Sequence, residues 1–314
     1  MATSTPRYSY LGPAGTFTWE ALRQVSGAEK GEWISVNNVG EALDDVLEGR
    51  SDYAMIAIEN SVEGGVSATQ DALAMAPSLR IVGEYLVPVR FVLATKPGTT
   101  LAGVTTVAAH AVAYAQCRTW LEKNVPHHSH VPARSNVQAA QSLAEDNIAD
   151  AAIAPPGITE QVDVDVIATD IGDNAHAQTR FVLVRLGGAP PARTGADKTS
   201  IIAELPDDRA GRLLEMLEQF ATRGVNMSLL ESRPIGDAMG RYRFVIDLDG
   251  HIDDERVADA LMGLRRFSPN VVFLGSYPRA NGHRPEISTP YSDDAFVDAR
   301  TWLEHLRAGS PEGA

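Results

Sequence analysis

SIIAELPDDRAGRLLEMLEQFATRGVNMSLLESRPIGDAMGRYRFVIDLDGHIDDERVADALMGLRRFSPNVVFL, Ser200 to Leu274, carries the clearest periodicity in the chain. SIIAEL (Ser200–Leu205) predicts a short strand. Arg209–Arg223 sets Leu213, Leu214, Leu217, Phe220 and Ala221 on one helical face, with Gly224 as the C′ residue. Met227–Ser232 reads as a second strand. Arg241–Asp249 alternates, Tyr242, Phe244, Ile246 and Leu248 facing one way and mostly polar residues the other. Asp253–Phe267 predicts a helix with Val257, Ala260, Leu261 and Leu264 inward, and Val271–Leu274 a closing strand. The order β-α-β-β-α-β is the ferredoxin-like unit.

Toward the N-terminus, GGAPPARTGADK (Gly187–Lys198) lacks apolar periodicity and reads as a linker. Before it the pattern is α/β. Strands are expected at Tyr8–Leu11, Tyr53–Ile58, Phe91–Ala94, Val104–Ala108, Ala151–Ala154 and Phe181–Val184. Helices are expected at Val39–Leu47, Ala111–Lys123 and Val137–Glu145, with another after the turn Gly12–Thr16. Strands alternating with helices imply one mostly parallel sheet or two small ones. The resulting division is 7–187, a linker at 188–198, 199–280 and a tail at 281–314. In the tail, Asp293–Arg307 predicts a helix with Phe296, Ala299, Trp302, Leu303 and Leu306 on one face, expected to dock on the body; Gly309–Ala314 is expected to fray.

The chain has 314 residues, a length that favours two domains, with 44% hydrophobic and 22% charged residues, a globular profile. A net charge of −14 argues against a nucleic-acid or anionic-membrane surface. An anionic substrate would meet a repulsive overall field, so its site must supply local cations or backbone N–H groups. Cys117 is the single cysteine and reads as a core residue on a helix; no disulfide within one chain is possible. No signal-like segment and no membrane-length apolar run is seen, so a cytoplasmic enzyme is expected.

Several segments could carry chemistry. Glu59-Asn60-Ser61 follows an apolar strand, and ligands in parallel α/β sheets bind at the carboxyl ends of strands. Gly12-Pro13-Ala14-Gly15-Thr16 joins a strand to a helix without dinucleotide or P-loop spacing, so no nucleotide is implied. Ser135-Asn136 precedes a helix, and Thr179-Arg180-Phe181 opens a strand. Each reads locally as an ordinary cap or turn as readily as a site. His127, His128 and His130 lack metal-ligand spacing and read as a solvated loop; no metal is expected.

In combination, YLGPAGTFT (Tyr10–Thr18), IENSVEGGV (Ile58–Val66), SNVQAA (Ser135–Ala140), TRFVLV (Thr179–Val184, with Asp173 and Asn174 upstream) and ESRP (Glu231–Pro234, after Asn226) resemble the prephenate dehydratase family over residues 8–280. The resemblance implies a two-lobed catalytic region like a type II periplasmic-binding-protein fold, followed by an ACT domain of the ferredoxin-like kind. It implies conversion of prephenate to phenylpyruvate without a cofactor, in a homodimer or homotetramer regulated by L-phenylalanine. By resemblance, Thr179, Arg180, Glu59, Asn60 and Ser61 are catalytic. Gly15, Thr16, Ser135, Asn136 and Phe181 bind substrate. Gly211, Leu213, Asn226, Glu231, Ser232 and Arg233 bind the effector. Glu59 is left between positioning a neighbour and acting as an acid. Three departures stand out: Ala210-Gly211-Arg212-Leu213 replaces Pro-Gly-Ala-Leu, Leu229 replaces a basic residue, and PPGITEQVDV (Pro155–Val164) replaces a Tyr-Gly-Leu stretch. Arg212 is expected to add charge beside the effector pocket. Arogenate dehydratase and a non-catalytic amino-acid sensor are the alternative readings.

Overall fold

A computed structural model describes residues 5–145, 148–236 and 240–309. The chain divides into two compact units, Met1–Thr69 with Tyr85–Leu183, and Gln70–Glu84 with Val184–Ala314. The expected fraying past Gly309 falls on 310–314, outside the described residues.

The chain opens with β1 (Arg7–Leu11), α1 (Phe17–Arg23), β2 (Glu32–Val36) and α2 (Val39–Leu47). The Thr16 hydroxyl caps α1 by accepting from the Trp19 N–H, and the Asn38 carbonyl oxygen caps α2 by accepting from the Glu41 N–H. Next come β3 (Tyr53–Asn60), the short β4 (Gly64–Gly65), α3 (Ser67–Met75) and β5 (Leu79–Pro88). β1 pairs in parallel with both β2 and β3. β3 runs two residues beyond the expected Ile58, because Glu59 and Asn60 pair with Gly65 and Gly64 of β4 in a hairpin. No helix therefore follows Ser61 directly.

The second lobe of this unit holds β6 (Val92–Thr95), β7 (Thr106–Ala109), α4 (Ala111–Gln116), α5 (Arg118–Asn124), β8 (Ser129–Pro132), α6 (Asn136–Glu145), β9 (Ala151–Ala154) and β10 (Asp165–Ala168). Its sheet runs β10-β6-β9-β7-β8 and is buried on both faces. The single helix expected over Ala111–Lys123 is broken at Cys117. There the Asp173 carboxylate accepts from the Thr119 and Trp120 N–H groups, and the Asp173 N–H donates to the Gln116 carbonyl. This side chain restarts the helix as an N-cap would. Cys117 is fully buried, and burial pushes its thiol well above the ordinary range, which keeps it a core residue.

β11 (Gln178–Leu186) returns to the first sheet, whose order is β2-β1-β3-β11-β5. The second unit then continues with β12 (Asp197–Glu204), α7 (Arg212–Ala221), β13 (Met227–Pro234), β14 (Tyr242–Asp249), α8 (Glu255–Phe267), β15 (Val271–Pro278) and α9 (Asp293–Arg307). This is the βαββαβ order read from Ser200–Leu274, as an antiparallel sheet β13-β14-β12-β15. Phe244, Ile246 and Leu248 pack with Met216, Phe220, Val257 and Leu264 as expected.

The opposite face of that sheet carries the polar residues expected there, and they are buried. Asp247, Ser200 and Tyr277 are fully buried and Lys198 nearly so. The Lys198 ammonium donates to Glu84 at 2.7 Å, and the Ser200 hydroxyl bonds both Asp247 and the Tyr277 hydroxyl. Gly275 lies so close to Ile81 that an added Cβ would collide with the Ile81 carbonyl, and its φ of +151° suits glycine alone. Residues 70–84 thus cover this face. Asp197 and Lys198, read as the end of the linker, already belong to β12.

Two apolar faces were misjudged. On α7 the inward residues are Met216 and Phe220, whereas Leu213 and Leu214 are exposed. Leucines crowd this helix, and two overlapping stripes fit its periodicity equally well. On α9 the expected docking stripe stays largely in solvent, with Trp302 54% exposed. Polar groups hold this helix instead: Asp293 accepts from Arg193 and the Glu255 N–H, and Arg300 makes a two-pronged pair with Glu255. Among the described residues no helix is long and apolar enough to cross a membrane.

Candidate active site

Strand ends build the site. Leu11 and Gly12 close β1, Asn37 follows β2, His110 follows β7, Arg134 lies just past β8, and Pro155 follows β9. All six line one cavity of about 270 Å³ within the first unit, as do Thr179 and Phe181 of β11. Carboxyl ends of strands are where open α/β sheets leave backbone and side chains free for a ligand.

Thr179 is 9% exposed and faces this cavity. Its Oγ1 accepts from the Asn60 amide nitrogen at 2.9 Å. The Asn60 carbonyl oxygen in turn accepts from the Val62 and Glu63 N–H groups at 2.9 and 3.3 Å, which fixes which end of the amide faces Thr179. The lone pair of Thr179 that faces Asn60 is therefore used, and its O–H is left to donate elsewhere. Ser61 ties the same two strands together: its N–H donates to the Gln178 carbonyl, and its hydroxyl accepts from the Gln178 N–H. Asn60 holds Thr179 from behind, Ser61 holds its neighbour Gln178, and neither lines the cavity.

Arg180, on the other side of the pleat, is 5% exposed and donates to Glu59 at 2.9 Å. Adjacent strand residues point to opposite faces, so this pair lies outside the cavity lining. Its carboxylate answers the Arg180 charge, which is the contact that a positioning role for Glu59 requires.

The predicted substrate residues divide. Thr16, Ser135, Asn136 and Phe181 line the cavity, whereas Gly15 does not. Gly15 is buried in the turn with φ +86°, where its missing side chain makes the turn possible. The Thr16 hydroxyl is committed, accepting from the Trp19 N–H and donating to the Leu11 carbonyl. Ser135 Oγ accepts from the Gln138 N–H at the start of α6, and the Asn136 carbonyl oxygen accepts from the His110 N–H. Both caps retain donors.

Asn37, His110 and Arg134 were missed from sequence. The strand-end rule applied to β2, β7 and β8 would have found them, but β2 and β8 carry no clear alternation. His110 Nδ1 accepts from the Val112 N–H at 3.4 Å, which leaves Nε2 as the ring's other hydrogen-bonding edge. The His127–His130 segment is not the loop expected. His130 lies on β8 and stacks on Tyr114 at 4.0 Å, and His128 bonds the Tyr114 hydroxyl at 2.8 Å. No cluster of metal-binding side chains occurs among the described residues.

The predicted effector residues also divide. On β13, Glu231 accepts from Gln70 of α3 at 2.5 Å, and Arg233, with Arg243, clamps Asp71 at 2.7 and 3.0 Å. Those guanidiniums hold the Asp71 carboxyl below its ordinary range. Ser232 points the other way and is exposed, as are Leu213 and Gly211. Asn226 donates to Asp249. The charge that Arg212 adds is paired, because Asp207 and Glu215 hold it at 2.8 and 2.5 Å.

A family model described as prephenate dehydratase matches residues 8–187, and one described as ACT domain matches 199–266. A prephenate dehydratase of Mycolicibacterium gilvum is 41% identical over 316 residues, covering 98% of this chain and 100% of the relative. Among solved structures, the prephenate dehydratase of Arthrobacter aurescens in complex with L-Phe is 49% identical with a TM-score of 0.91, covering 96% of this chain and 99% of that one. A quorum-quenching acylase, GqqA, is 28% identical with a TM-score of 0.75, covering 87% and 97%. With both family models in place and near-complete alignment to relatives above 40% identity, the chain belongs to the prephenate dehydratase family of hydro-lyases, its catalytic region followed by an ACT domain.

Proposed function

We propose that the chain converts prephenate to phenylpyruvate, with Thr179 as the hydrogen-bond donor to the departing hydroxyl. The bond from the ring to its carboxylate breaks, CO2 leaves, and the electron pair of that bond enters the ring. The ring–oxygen bond breaks at the opposite carbon, and hydroxide leaves with a proton from solvent or from the donor chain. Aromaticity supplies the driving force, so the protein's task is to hold the dianion and assist the leaving oxygen. The Asn60–Thr179 hydrogen bond carries this reading, because it aims a neutral donor into the cavity. Such a donor contributes about 10²- to 10⁴-fold. The same geometry speaks against an acylase, which requires a base on its nucleophile. Among the described residues the hydroxyl's partner is an amide.

By likeness to the relative solved with L-Phe, the ACT domain binds L-phenylalanine and regulates turnover; the assembly that we assign is a homodimer or homotetramer. Glu231 and Arg233 are occupied by Gln70 and Asp71, so we assign direct effector contact to Gly211, Leu213 and Ser232 and a supporting role to Asn226. The catalytic region spans 7–187 and the regulatory domain 199–280, joined by 188–198 and followed by the tail 281–314. The enzyme works in the cytoplasm.

The test is phenylpyruvate formation from prephenate, read by absorbance in alkali, with and without L-phenylalanine. Turnover that phenylalanine suppresses supports both assignments. Turnover indifferent to it removes the regulatory one. Turnover of arogenate alone would make the chain an arogenate dehydratase, and none on either substrate would leave an amino-acid sensor.

A further inference from the structure

We infer that Arg134 binds a carboxylate of the substrate and sets the enzyme's preference for a dianion; this rests on the proposed dehydration of prephenate. The net charge of −14 repels a dicarboxylate at a distance, so attraction has to be local. Among the described residues no Asp or Glu lines the Thr179 cavity, and Arg134 is its one Arg or Lys. The other cation nearby in sequence and space to Thr179, Arg180, is buried against Glu59 and outside the lining.

Arg134 differs from the protein's structural arginines. Arg180, Arg212, Arg233, Arg243 and Arg300 each hold a carboxylate of this chain. Arg134 is exposed, and its guanidinium holds no carboxylate of the chain among the described residues. It stands directly before Ser135, whose hydroxyl caps α6 by accepting from the Gln138 N–H. It also lines a neighbouring hollow with Gln138, Gln141, Ser142 and Glu145, and no ion pair joins Arg134 to Glu145 among the described residues. A guanidinium presents two parallel N–H donors that match a carboxylate. Arg134 thus receives a substrate carboxylate at the rim while Thr179 faces the reacting hydroxyl.

The experiment compares the wild-type chain with Arg134→Gln and Arg134→Lys in steady-state turnover of prephenate at low and high salt. Loss of a charge-assisted pair raises KM about 10- to 100-fold. Because that contact is made equally in the ground and transition states, kcat stays within about threefold. The Gln variant loses most of the salt dependence of kcat/KM, and Lys restores part of the affinity. A Gln variant with wild-type KM and salt dependence would overturn the inference and leave the dehydratase reading intact. If the wild-type chain does not turn over prephenate, that reading fails, and calorimetric binding of phenylpyruvate decides the role of Arg134. Binding weakened in the Gln variant supports it, and unchanged or undetectable binding overturns it.

Discussion

The cavity wall at Thr179 and the inner face of the ACT sheet are both buried and polar, and they are built from opposite materials. At the cavity, neutral groups hold neutral groups: an amide positions a hydroxyl, and two backbone N–H groups position the amide. On the ACT sheet, ions hold ions: Lys198 meets Glu84, and Arg279 meets Asp249 at 2.9 Å. A buried ion pair is costly to break once formed, because removing one partner strands the other in a poor solvent. That suits a permanent contact between the sheet and residues 70–84. The part of the wall that assists a departing hydroxide gains from donors that are fixed and uncharged, while the cation at the rim, Arg134, receives the dianion. Where the catalytic unit does bury an arginine, at Arg180, Glu59 balances it locally and keeps the charge off the cavity wall.

The sharpest way to break this comparison is Thr179→Val. It removes the hydroxyl and keeps the shape, so kcat/KM should fall about 10²- to 10⁴-fold. The thermal midpoint should stay near that of the wild type. A variant of normal activity would end the proposed role. Nearly as large, but in stability, is Lys198→Met. Removing the cation beside the buried Glu84 should lower the unfolding free energy by about 3–5 kcal/mol. Urea denaturation would read this, and a Lys198→Met/Glu84→Leu double variant should recover most of the loss. If the single variant is neutral, the ionic face is not what anchors the sheet.

Smaller is the effect of Asn60→Ala, which leaves Thr179 in place but unaimed and should lower kcat about 10- to 100-fold. KM should hardly move, since Asn60 is not in the cavity lining. A change in KM alone would place Asn60 against substrate instead. The smallest effect concerns Asp150, a charge held by neutral donors. Its carboxylate accepts from the N–H and hydroxyl groups of both Thr105 and Thr106, led by the Thr105 hydroxyl, and these hold its pKa down at about 2. A lowered folded-state pKa means that its stabilising contribution is complete above the ordinary carboxylate value, about 4, and is lost as pH falls toward 2. The stability gap between wild type and Asp150→Asn, about 1 kcal/mol at neutral pH, should therefore close between pH 4 and 2. A gap independent of pH would show that these hydrogen bonds do not favour the ionised form.

Much of this was legible beforehand. The ferredoxin-like order came directly from the alternation of Phe244, Ile246 and Leu248 and from the periodicity around Val257 and Leu264, all of which face the core. Thr179, Phe181, Thr16, Ser135 and Asn136 were placed at the cavity through motif resemblance. Asn37, His110 and Arg134 were not found, because nothing in an isolated polar residue after a short strand distinguishes a binding wall from a turn. The stripe on α9 misled for a related reason. Amphipathicity shows that a face could be buried, but the ion pairs of Asp293 and Arg300 determine how the helix lies.

The sequence by itself determined the order of elements, the two folds and the strand that carries Thr179. These follow from local periodicity and from short motifs, in which the informative residues are neighbours in the chain. Only the tertiary structure decided what each polar group does. Asn60 and Thr179 lie 119 residues apart, Glu59 and Arg180 lie 121 apart, and Lys198 and Glu84 lie 114 apart. Whether a side chain aims a hydroxyl, cancels a charge or waits for a ligand depends on which partner the fold brings within about 3 Å, and no local pattern encodes that distance.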